Sequence, residues 1–514
     1  SYNYSGINVA SSQTLNINNV TLDGFTTALD NAGELNLNNV TFTNSTVADV
    51  NNTNEMNLTG TNIFNGAVTG TGSTEVVSGS TTFNSTVAQT ALTITTGTVD
   101  ANNTVTTTDL TNKGTLSIAA NNLVTTHDAD NQGILNLETG NLASNVTTTT
   151  ATGTTNVVGT VTNDNDKTIT QKVVTVTGEL TTKADKVVAT DGITNSGVLN
   201  LNTGALASNI TGAGTTNILQ AVSSAKTIAQ GTFTTAENVT FTNTGSLTVA
   251  NVLTNEGTIA NNGTVTINGN TQNVGTINGT GTLALKNNFE NKGTIEQNIL
   301  TLAENKILTN DANKSITVNE TLTNNGEINN QGTLNVYGTN NLGLITDAST
   351  KTGTLNLAGT ITADKTVTQK EINVNSGSLT VNAEVNATTV NNDGTLTVNA
   401  QTNATTVNNN STANVNAEVT ATTYNNKGTT VVDDSTGSIT AATITNQTGS
   451  ITSNASNLIG DIENKATLNL TGGATQGTIT GYNSSTDGVI NVSGDLTVAH
   501  AVDKNTLNLD GAIA

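Results

Sequence analysis

Asn392-Asp393-Gly394-Thr395-Leu396-Thr397-Val398 is one copy of a phrase that recurs along the whole chain: Asn, any residue, Gly, and then an apolar residue alternating with polar ones. Other copies lie at residues 31–37, 112–118, 131–137, 195–201 and 261–267. Asn and Gly are typical of tight turns, and the alternation that follows is typical of a short strand with one buried face. A unit this small cannot bury its apolar face alone, so successive units must stack on one another.

The repeat around this phrase measures the length of one coil. Val-Asn-Ala begins at Val381 and again at Val398 and Val415, which gives a constant step of 17 along the chain. Near the N-terminus the step is longer, since the segment 15–22 recurs as 35–42, a step of 20. The segment 34–37 recurs as 55–58, a step of 21. We therefore expect coils of about 17–21 residues and, at about 19 residues each, about 27 coils.

The alternation inside one coil predicts which side chains are buried. Aliphatic residues occupy every second position of residues 379–387, so they would share one face of a single extended strand. These residues are Leu379, Val381, Ala383, Val385 and Ala387, and the next coil repeats the face with Leu396, Val398, Ala400 and Ala404. Stacked coils would then form parallel sheets whose inward side chains lie in ladders, each buried aliphatic contributing roughly 1.5–3 kcal/mol. The predicted fold class is an all-β parallel β-helix, or β-solenoid.

The turn residues fit the same prediction. Gly and Asn tolerate the left-handed backbone of a tight corner, and Asn side chains stacked from coil to coil can satisfy backbone groups there. The chain has no Pro, a residue that would remove a ladder donor at nearly every position of such a sheet.

One continuous solenoid is predicted for residues 1–514. Residues 1–90 would form wider, Phe-containing coils, and residues 91–370 irregular coils with a duplicated block of about three coils. In that block residues 131–146 recur as 195–210, an offset of 64. Residues 371–432 would form regular 17-residue coils and 433–514 the C-terminal coils. Phe25, Phe42, Phe64 and Phe83 are spaced like coils, which predicts an inward ladder of rings rather than a platform for sugars.

Composition narrows the class of partner. The 514 residues carry a formal net charge of −22, and the 16 basic residues are all Lys. An acidic surface without Arg would repel phosphates, so we expect no nucleic-acid partner. No apolar run approaches the roughly 18 residues of a membrane span, so no membrane insertion of this segment is expected.

Few residues are candidates for chemistry. Asp433-Asp434 could form the carboxylate pair of a polysaccharide-cleaving enzyme, but two acids in a solvated turn are the simpler interpretation. Residues 164–166 resemble the start of a calcium loop, yet Ile169 and Thr175 stand where Gly and Glu are expected. His127 and His500 are isolated and predict neither a metal cluster nor a catalytic triad. Asn-x-Ser/Thr triplets such as residues 44–46 arise by chance in a chain rich in these residues.

Threonine-rich stretches raise one more possibility. Residues 147–150 suggest a flat ice-binding face, but a regular Thr-x-Thr at one position of every coil is not evident. The sequence therefore predicts no catalytic, cofactor-binding or metal-binding residues and no cofactor.

The repeated phrases resemble the passenger regions of bacterial autotransporter adhesins and large outer-membrane surface antigens, with filamentous-haemagglutinin-type exoproteins as a second relative. Residues 254–267 and 323–336 carry the resemblance, which spans most of the chain. It implies a right-handed parallel β-helix on the surface of a Gram-negative bacterium or secreted from it. The sequence departs from such proteins in having no signal, no C-terminal barrel with aromatic girdles and no Arg-Gly-Asp motif.

Two function classes follow. The first is a non-enzymatic, extracellular structural protein: an adhesin stalk, an autoaggregation factor or a self-assembling coat or filament. Its partners would be further copies of the chain, end to end or lateral, and surface glycans or proteins. The alternative is a polysaccharide-binding or polysaccharide-cleaving β-helix enzyme, an architecture shared by fold analogy alone.

The two ends of the sequence predict open coils. Residues 505–511 have the alternation of an interior coil, and the same pattern begins at Leu15, close to the N-terminus. An uncovered coil offers free backbone donors and acceptors to another strand. We therefore expect either that the natural polypeptide continues beyond Ala514 or that chains stack end to end.

Overall fold

The computed structural model describes residues 6–347, 352–482, 487–503 and 505–514. The chain is an all-β parallel β-solenoid of about 27 turns, which confirms the predicted fold class and the number of coils. Ala455–Asn457 forms a short 3-10 helix. The right-handed winding implied by the resemblance stays a prediction.

The chain divides into two compact units, Ser1–Val252 and Leu253–Ala514. The strands that begin in the first unit are Ile7–Val9, Thr14–Asp23, Thr27–Asn31, Glu34–Thr43, Ala48–Asn52, Glu55–Thr59, Thr61–Phe64, Val68–Thr69, Ser73–Val76, Ser80–Phe83, Val87–Ile94, Thr98–Ala101, Val105–Asn112, Thr115–Ala119, Leu123–Thr125, Ala129–Asn131, Ile134–Glu138, Gly140–Asn141, Val146–Thr147, Thr154–Val157, Thr160–Thr162, Ile169–Gln171, Val173–Val176, Glu179–Lys183, Val187–Ala189, Ile193–Asn195, Val198–Asn202, Gly204–Ala205, Ile210–Thr211, Thr215–Ile218, Val222–Ser224, Thr227–Thr235, Thr240–Asn243 and Ser246–Asn255.

The strands that begin in the second unit are Thr258–Asn261, Thr264–Ile267, Thr271–Asn273, Thr276–Leu285, Phe289–Asn291, Thr294–Leu302, Ile307–Asn310, Ser315–Asn324, Glu327–Asn330, Thr333–Asn341, Leu344–Thr346, Thr354–Ala363, Val367–Val381, Val385–Asn392, Thr395–Val398, Thr402–Asn409, Thr412–Val415, Glu418–Asn426, Thr429–Val432, Ser438–Asn446, Ser450–Ser453, Leu458–Asn464, Thr467–Leu470, Gly473–Ala474, Ile479–Gly481, Gly488–Val492, Leu496–Thr497 and Asn505–Leu509.

A regular turn has three sides, and each side pairs in parallel with the same side of the next turn. One regular turn of the second unit shows this: residues 385–387 pair with 402–404, residues 389–392 with 406–409, and residues 395–398 with 412–415. Each residue therefore lies over its equivalent one turn earlier. The result is a set of columns, one for each position of the turn.

The inward columns are aliphatic, as the alternation predicts, but the chain bends sooner than expected. Val381 and Val385 are buried, whereas Ala383 between them is half-buried in a corner rather than in a strand. Ala400 and Ala404 are also only half-buried. The predicted single strand over 379–387 is therefore wrong: it is two sides of the turn. The chain changes direction at Ala383, but the apolar residues still occupy every second position, so the sequence pattern does not show the corner.

Val398 and Thr397 test the register of one side. Val398 is buried, and Thr397 faces outward and is half-buried. Val398→Asn should bury an unsatisfied amide at a cost of roughly 1–3 kcal/mol, while Thr397→Asn should change stability by less than about 0.5 kcal/mol. Thermal unfolding of both variants measures the difference. Equal losses would contradict the assigned register.

The phenylalanine ladder is confirmed for three of its four predicted members. The rings of Phe42 and Phe64 stack with centroids 4.9 Å apart, and those of Phe64 and Phe83 with centroids 5.0 Å apart. All three side chains are buried. Phe25 is not part of the ladder, because the rung below Phe42 is Leu22 and Phe25 lies half-buried in the bend that follows. Spacing along the sequence does not reveal a corner of this kind.

Buried asparagine ladders run along the corners, as the turn phrase predicts. In the second unit Asn392, Asn409, Asn426, Asn446 and Asn464 are each fully buried. The Nδ2 of each donates to the Oδ1 of the next over 2.7–2.8 Å. The same Nδ2 groups also reach backbone carbonyls, for example that of Thr412 at 2.7 Å from Asn392. The ladder thus pairs the amides with one another and with corner backbone, as buried polar groups require, and leaves only Asn392 Oδ1, at its first rung, without a partner among these five side chains.

Glycine in the turn phrase has a different role from the one predicted. Gly133 and Gly197 do not have the left-handed backbone expected of a corner glycine. A Cβ at Gly133 would instead collide with the carbonyl oxygen of Gly114, and one at Gly197 with that of Gly178. Glycine is needed because successive turns approach each other closely at this point.

Glutamines bridge gaps in the asparagine ladders. Gly279 lies over Asn261 and Gln297 lies over Gly279, so one rung of the column has no side chain. Gln297 is one methylene longer than Asn, and its Oε1 accepts from Asn261 Nδ2 at 2.7 Å across the gap. The same skipped rung occurs from Asn52 to Gln89, Asn131 to Gln171, Asn195 to Gln230 and Asn330 to Gln369, over 2.6–2.8 Å.

The two copies of the duplicated phrase lie on different sides of the turn. Leu137 pairs with Val157, Val157 with Val176, and Val176 with Asn195, so three full turns in this part end at position 195. The second copy of Leu137 is Leu201, which lies beyond that point on the next side of the turn. The offset between the copies is therefore three turns and one further side. Local structure is kept, since Ser144 Oγ accepts from Thr125 N at 2.8 Å and Ser208 Oγ from Ala189 N at 2.7 Å. One phrase can therefore form different sides of the turn.

Candidate functional surfaces

The acidic pair chosen from the sequence is a turn and not a cleft. Asp433 Oδ1 accepts four hydrogen bonds, from the backbone nitrogens and hydroxyls of Ser435 and Thr436, at 2.7–3.0 Å. These donors lower the pKa of Asp433 to about 2, with the Ser435 hydroxyl as the largest cause. Asp434 Oδ1 accepts from Asn454 N at 2.9 Å. Both carboxylates hold the corner in shape.

The other sequence candidates are not brought together with further ligands. Asp166 pairs with Lys183 at 2.6 Å, and the Lys183 hydrogen bond lowers the pKa of Asp166. His127 Nδ1 lies 2.7 Å from Asp109 Oδ1, and both side chains are exposed. Across the described residues no group of three or more His, Cys, Asp or Glu side chains is placed to hold a metal ion.

Threonines that are scattered in sequence meet on one side of the second unit. Residues 264–267 pair with 282–285, these with 299–302, and the pairing continues turn by turn to residues 506–509. Thr-x-Thr occurs at some turns of this side, whereas other turns carry Thr-x-Asn, Thr-x-Val or Ser-x-Thr, so the pattern does not recur in every coil, as the sequence indicates. Thr264, Thr321, Thr360 and Thr395 each begin a Thr-x-Thr and stand in one column.

We call this side the threonine face and define it by its two outward columns. The first column is Thr264, Thr282, Ile299, Thr321, Thr339, Thr360, Ser378, Thr395, Thr412, Thr429, Ser450, Thr467, Val489 and Thr506. The second column is Thr266, Ala284, Thr301, Thr323, Asn341, Thr362, Thr380, Thr397, Asn414, Val431, Thr452, Asn469, Asn491 and Asn508.

None of these positions carries a charged or aromatic side chain, although the chain as a whole has a net charge of −22. Acidic residues stand on other sides instead: Glu290, Glu327 and Glu384 are examples. The columns also stay aligned while turns differ in length, because the register shifts of this unit fall outside them, as between Gly279 and Thr282. The threonine face is thus an uncharged array of regularly spaced positions, in which threonine is mixed with serine, asparagine and a few aliphatic residues.

A second side carries an outward asparagine ladder, which we call the asparagine face. Asn335, Asn356, Asn373, Asn391, Asn408 and Asn425 stand in one column, each half-buried. The Nδ2 of each donates to the Oδ1 of the one before it over 2.8–2.9 Å. Thr333, Thr354, Glu371, Thr389, Thr406 and Thr423 form the neighbouring outward column. This face therefore presents ordered amides with remaining hydrogen-bonding capacity.

One open depression lies at a corner next to the threonine face. Its volume is about 500 Å³, and its lining includes Glu304, Asp364 and Lys365. Asp364 is held in place by two amides: Asn341 Nδ2 and Asn382 Nδ2 each donate to it at 2.7 Å. The backbone ladder opens here, because Leu322 N donates to the side chain of Asn340 at 2.7 Å. The sequence alone did not single out these charges, which lie far apart along the chain.

Asp49 is a fully buried carboxyl in the first unit. Gly66 N donates to its Oδ2 at 2.6 Å, while Oδ1 has no hydrogen-bond partner. Burial raises the pKa of Asp49, against smaller opposite contributions from Ser45 and backbone donors. The folded chain therefore holds this proton more tightly than the unfolded chain does.

Asp49→Asn should stabilise the first unit at neutral pH. With a raised folded pKa, the contribution of Asp49 to stability is full below its unfolded pKa of about 4 and is lost as pH rises through the folded value. An amide at position 49 does not titrate, so this pH dependence of stability disappears. The thermal midpoint of the variant should be higher than that of the native chain at pH 7 but not at pH 3. Asp30→Asn, at an exposed carboxylate, is the control. A variant less stable at both pH values would contradict the expectation.

No helix among the described residues has the length and apolarity needed to span a membrane. Comparisons of the chain with known protein families, with curated proteins and with solved structures give no match.

Proposed function

We propose that the chain is a non-enzymatic structural protein, secreted or displayed on a bacterial surface, that works by adhesion and by association with further copies of itself. The resemblance to autotransporter passengers supports the location, and the asparagine face supports the mode of action. Amides that are already aligned by their neighbours lose little further freedom on binding. Asparagine ladders facing each other form tight, repetitive interfaces between sheets.

The asparagine face suits a second copy of itself. Glu371 is the one charged residue of its two columns, so two such faces approach with little repulsion, while acidic residues elsewhere discourage association through other sides. Asn408 Nδ2 donates once within the chain and keeps its second N–H for a partner, whereas Asn391 Nδ2 donates to both Asn373 Oδ1 and Glu371 Oε1. We therefore expect lateral pairing, face against face.

Self-association of the purified chain tests the proposal. Sedimentation velocity over a wide concentration range should show association that persists at high salt, because uncharged contacts are not screened. A double variant, Asn391→Asp with Asn408→Asp, should weaken it by placing charges on the asparagine face. Asn414→Asp, the same change on the threonine face, should leave it intact. A chain that stays monomeric and binds no cells, glycans or matrix would overturn the proposal.

Protease accessibility tests the location separately. Intact cells that express the native gene should lose the chain when protease is added to the medium. A chain that is protected until the cells are lysed would contradict an extracellular location and leave the self-association result standing.

A second candidate function is polysaccharide binding or cleavage, and the depression at Glu304, Asp364 and Lys365 favours it. Two carboxylates and a cation around an open cavity are the groups that glycoside chemistry uses. A screen for reducing-sugar release should find activity that Asp364→Asn abolishes. An inactive native chain across the screen would leave only the structural role.

A further inference from the structure

The threonine face is regular in two directions, so it fits a ligand that is also regular in two directions. Successive rungs of a parallel sheet are about 4.8 Å apart, and outward residues two positions apart on a strand are about 6.6 Å apart. The face keeps these repeats from Thr264 to Asn508. A flexible or irregular partner could use only a few rungs of such an array.

The side chains of the array are held stiffly. Threonine is branched at Cβ, which restricts its χ1 angle, and neighbours directly above and below each column restrict it further. Thr395 and Thr397 are half-buried by these neighbours although they point outward. Each threonine therefore presents a hydroxyl and a methyl group at a defined place. The hydroxyl can donate and accept hydrogen bonds, while the methyl group orders nearby water.

The chemistry of the face excludes most ordered ligands. A mineral, a nucleic acid or a charged membrane would require charged partners, and the face has none. A crystalline polysaccharide would be expected to stack on aromatic rings, and no Phe, Tyr or Trp occupies either column. The remaining lattice is one made only of uncharged hydrogen-bond donors and acceptors.

Ice is such a lattice, and its dimensions are close to those of the face. Oxygens joined by hydrogen bonds of about 2.75 Å in a tetrahedral network lie about 4.5 Å apart across a shared neighbour, and the network repeats about every 7.3 Å along its axis. The corresponding distances on the face, about 4.8 and 6.6 Å, agree with these to within about a tenth. We propose that the threonine face binds crystalline water.

Partition into growing ice tests the proposal with the full 514-residue chain. Ice grown slowly on a cold surface should take up the native chain in preference to an inert protein of similar mass, and small ice crystals should become faceted in its presence. A double variant, Thr395→Lys with Thr397→Lys, should lose both effects, because each lysine prevents the ice surface from meeting the array. Thr389→Lys with Thr406→Lys, on the asparagine face, is the matched control and should keep them.

Three results would overturn the proposal. The native chain could be excluded from ice as the inert protein is. Both pairs of lysine variants could partition equally, which would remove the assignment to this face. The threonine-face pair could abolish self-association while ice is unaffected, which would make a second copy the occupant. The first two results leave the pairing proposed for the asparagine face untouched, whereas the third would contradict that pairing as well.

Discussion

Asn409→Asp should lower the stability of the second unit by about 3–5 kcal/mol at neutral pH, the cost of leaving a buried charge without compensation. Asn409 is fully buried. Its Nδ2 donates to Asn426 Oδ1 at 2.8 Å and to the carbonyl of Thr429 at 3.1 Å. A carboxylate at this position has no N–H groups to donate. Its oxygens would instead face Asn426 Oδ1 and the carbonyl oxygen of Thr429. Asn392 Nδ2, now at 2.7 Å from Asn409 Oδ1, could still donate to it.

The loss should depend on pH. Burial and the facing oxygens favour the protonated acid, so the folded variant binds a proton more tightly than the unfolded variant does. The stability lost relative to the native chain should therefore become smaller as pH falls. Asn408→Asp is the matched control, because Asn408 stands on the half-buried outward ladder. We expect it to cost less than about 1 kcal/mol.

Hydrogen exchange is the measurement of choice, because a solenoid need not unfold in one step. Backbone amides of the turns around residue 409 should exchange faster in Asn409→Asp, while distant turns keep their protection. Equal protection in the two variants would contradict the role assigned to the buried ladder.

Gln297→Asn should cost about 2–4 kcal/mol, from a missing methylene and a buried amide left unsatisfied. The shorter side chain cannot cross the gap at Gly279, so Asn261 Nδ2 loses the acceptor that now lies 2.7 Å away. The Nε2 of Gln297, which donates to the carbonyl of Glu296 at 2.9 Å, must also move.

Gln401→Asn is the same chemical change at an exposed position, and we expect it to alter stability by less than about 0.5 kcal/mol. Thermal unfolding and hydrogen exchange of the two variants give the comparison. If both variants lose the same stability, the hydrogen bond from Asn261 to Gln297 across Gly279 does not stabilise the fold.

The fold could be predicted because its decisive signals are local. The alternation through Leu396, Thr397 and Val398 has period two, and the same pattern returns after one coil at Val415. Stacking follows from these two facts alone. The corner at Ala383 was missed because an apolar residue there continues the alternation, so the bend has no signature in hydrophobicity. Gln297 was missed as well, although Gly279-Thr280-Gly281 one turn earlier is a signal for the gap it bridges.

The surfaces could not be predicted to the same extent, because columns depend on register. Thr321 and Thr360 are separated by turns of unequal length, so no fixed period in the sequence brings them together. The lining of the depression has the same origin: Glu304 and Asp364 line one depression only because the intervening turns return to the same corner. Interactions that repeat within one turn can be read from sequence, and those set by the accumulated register of several turns require the structure.

The rotation of the duplicated phrase has a consequence for how such a gene diversifies. Recombination between the segments 131–146 and 195–210 would remove or add the interval between them and leave each local phrase intact. Because that interval is three turns and one side, all later columns of the first unit would move by one third of the circumference relative to the earlier ones. Descendants of one gene could therefore expose different combinations of sides to the same neighbour without a single amino-acid substitution.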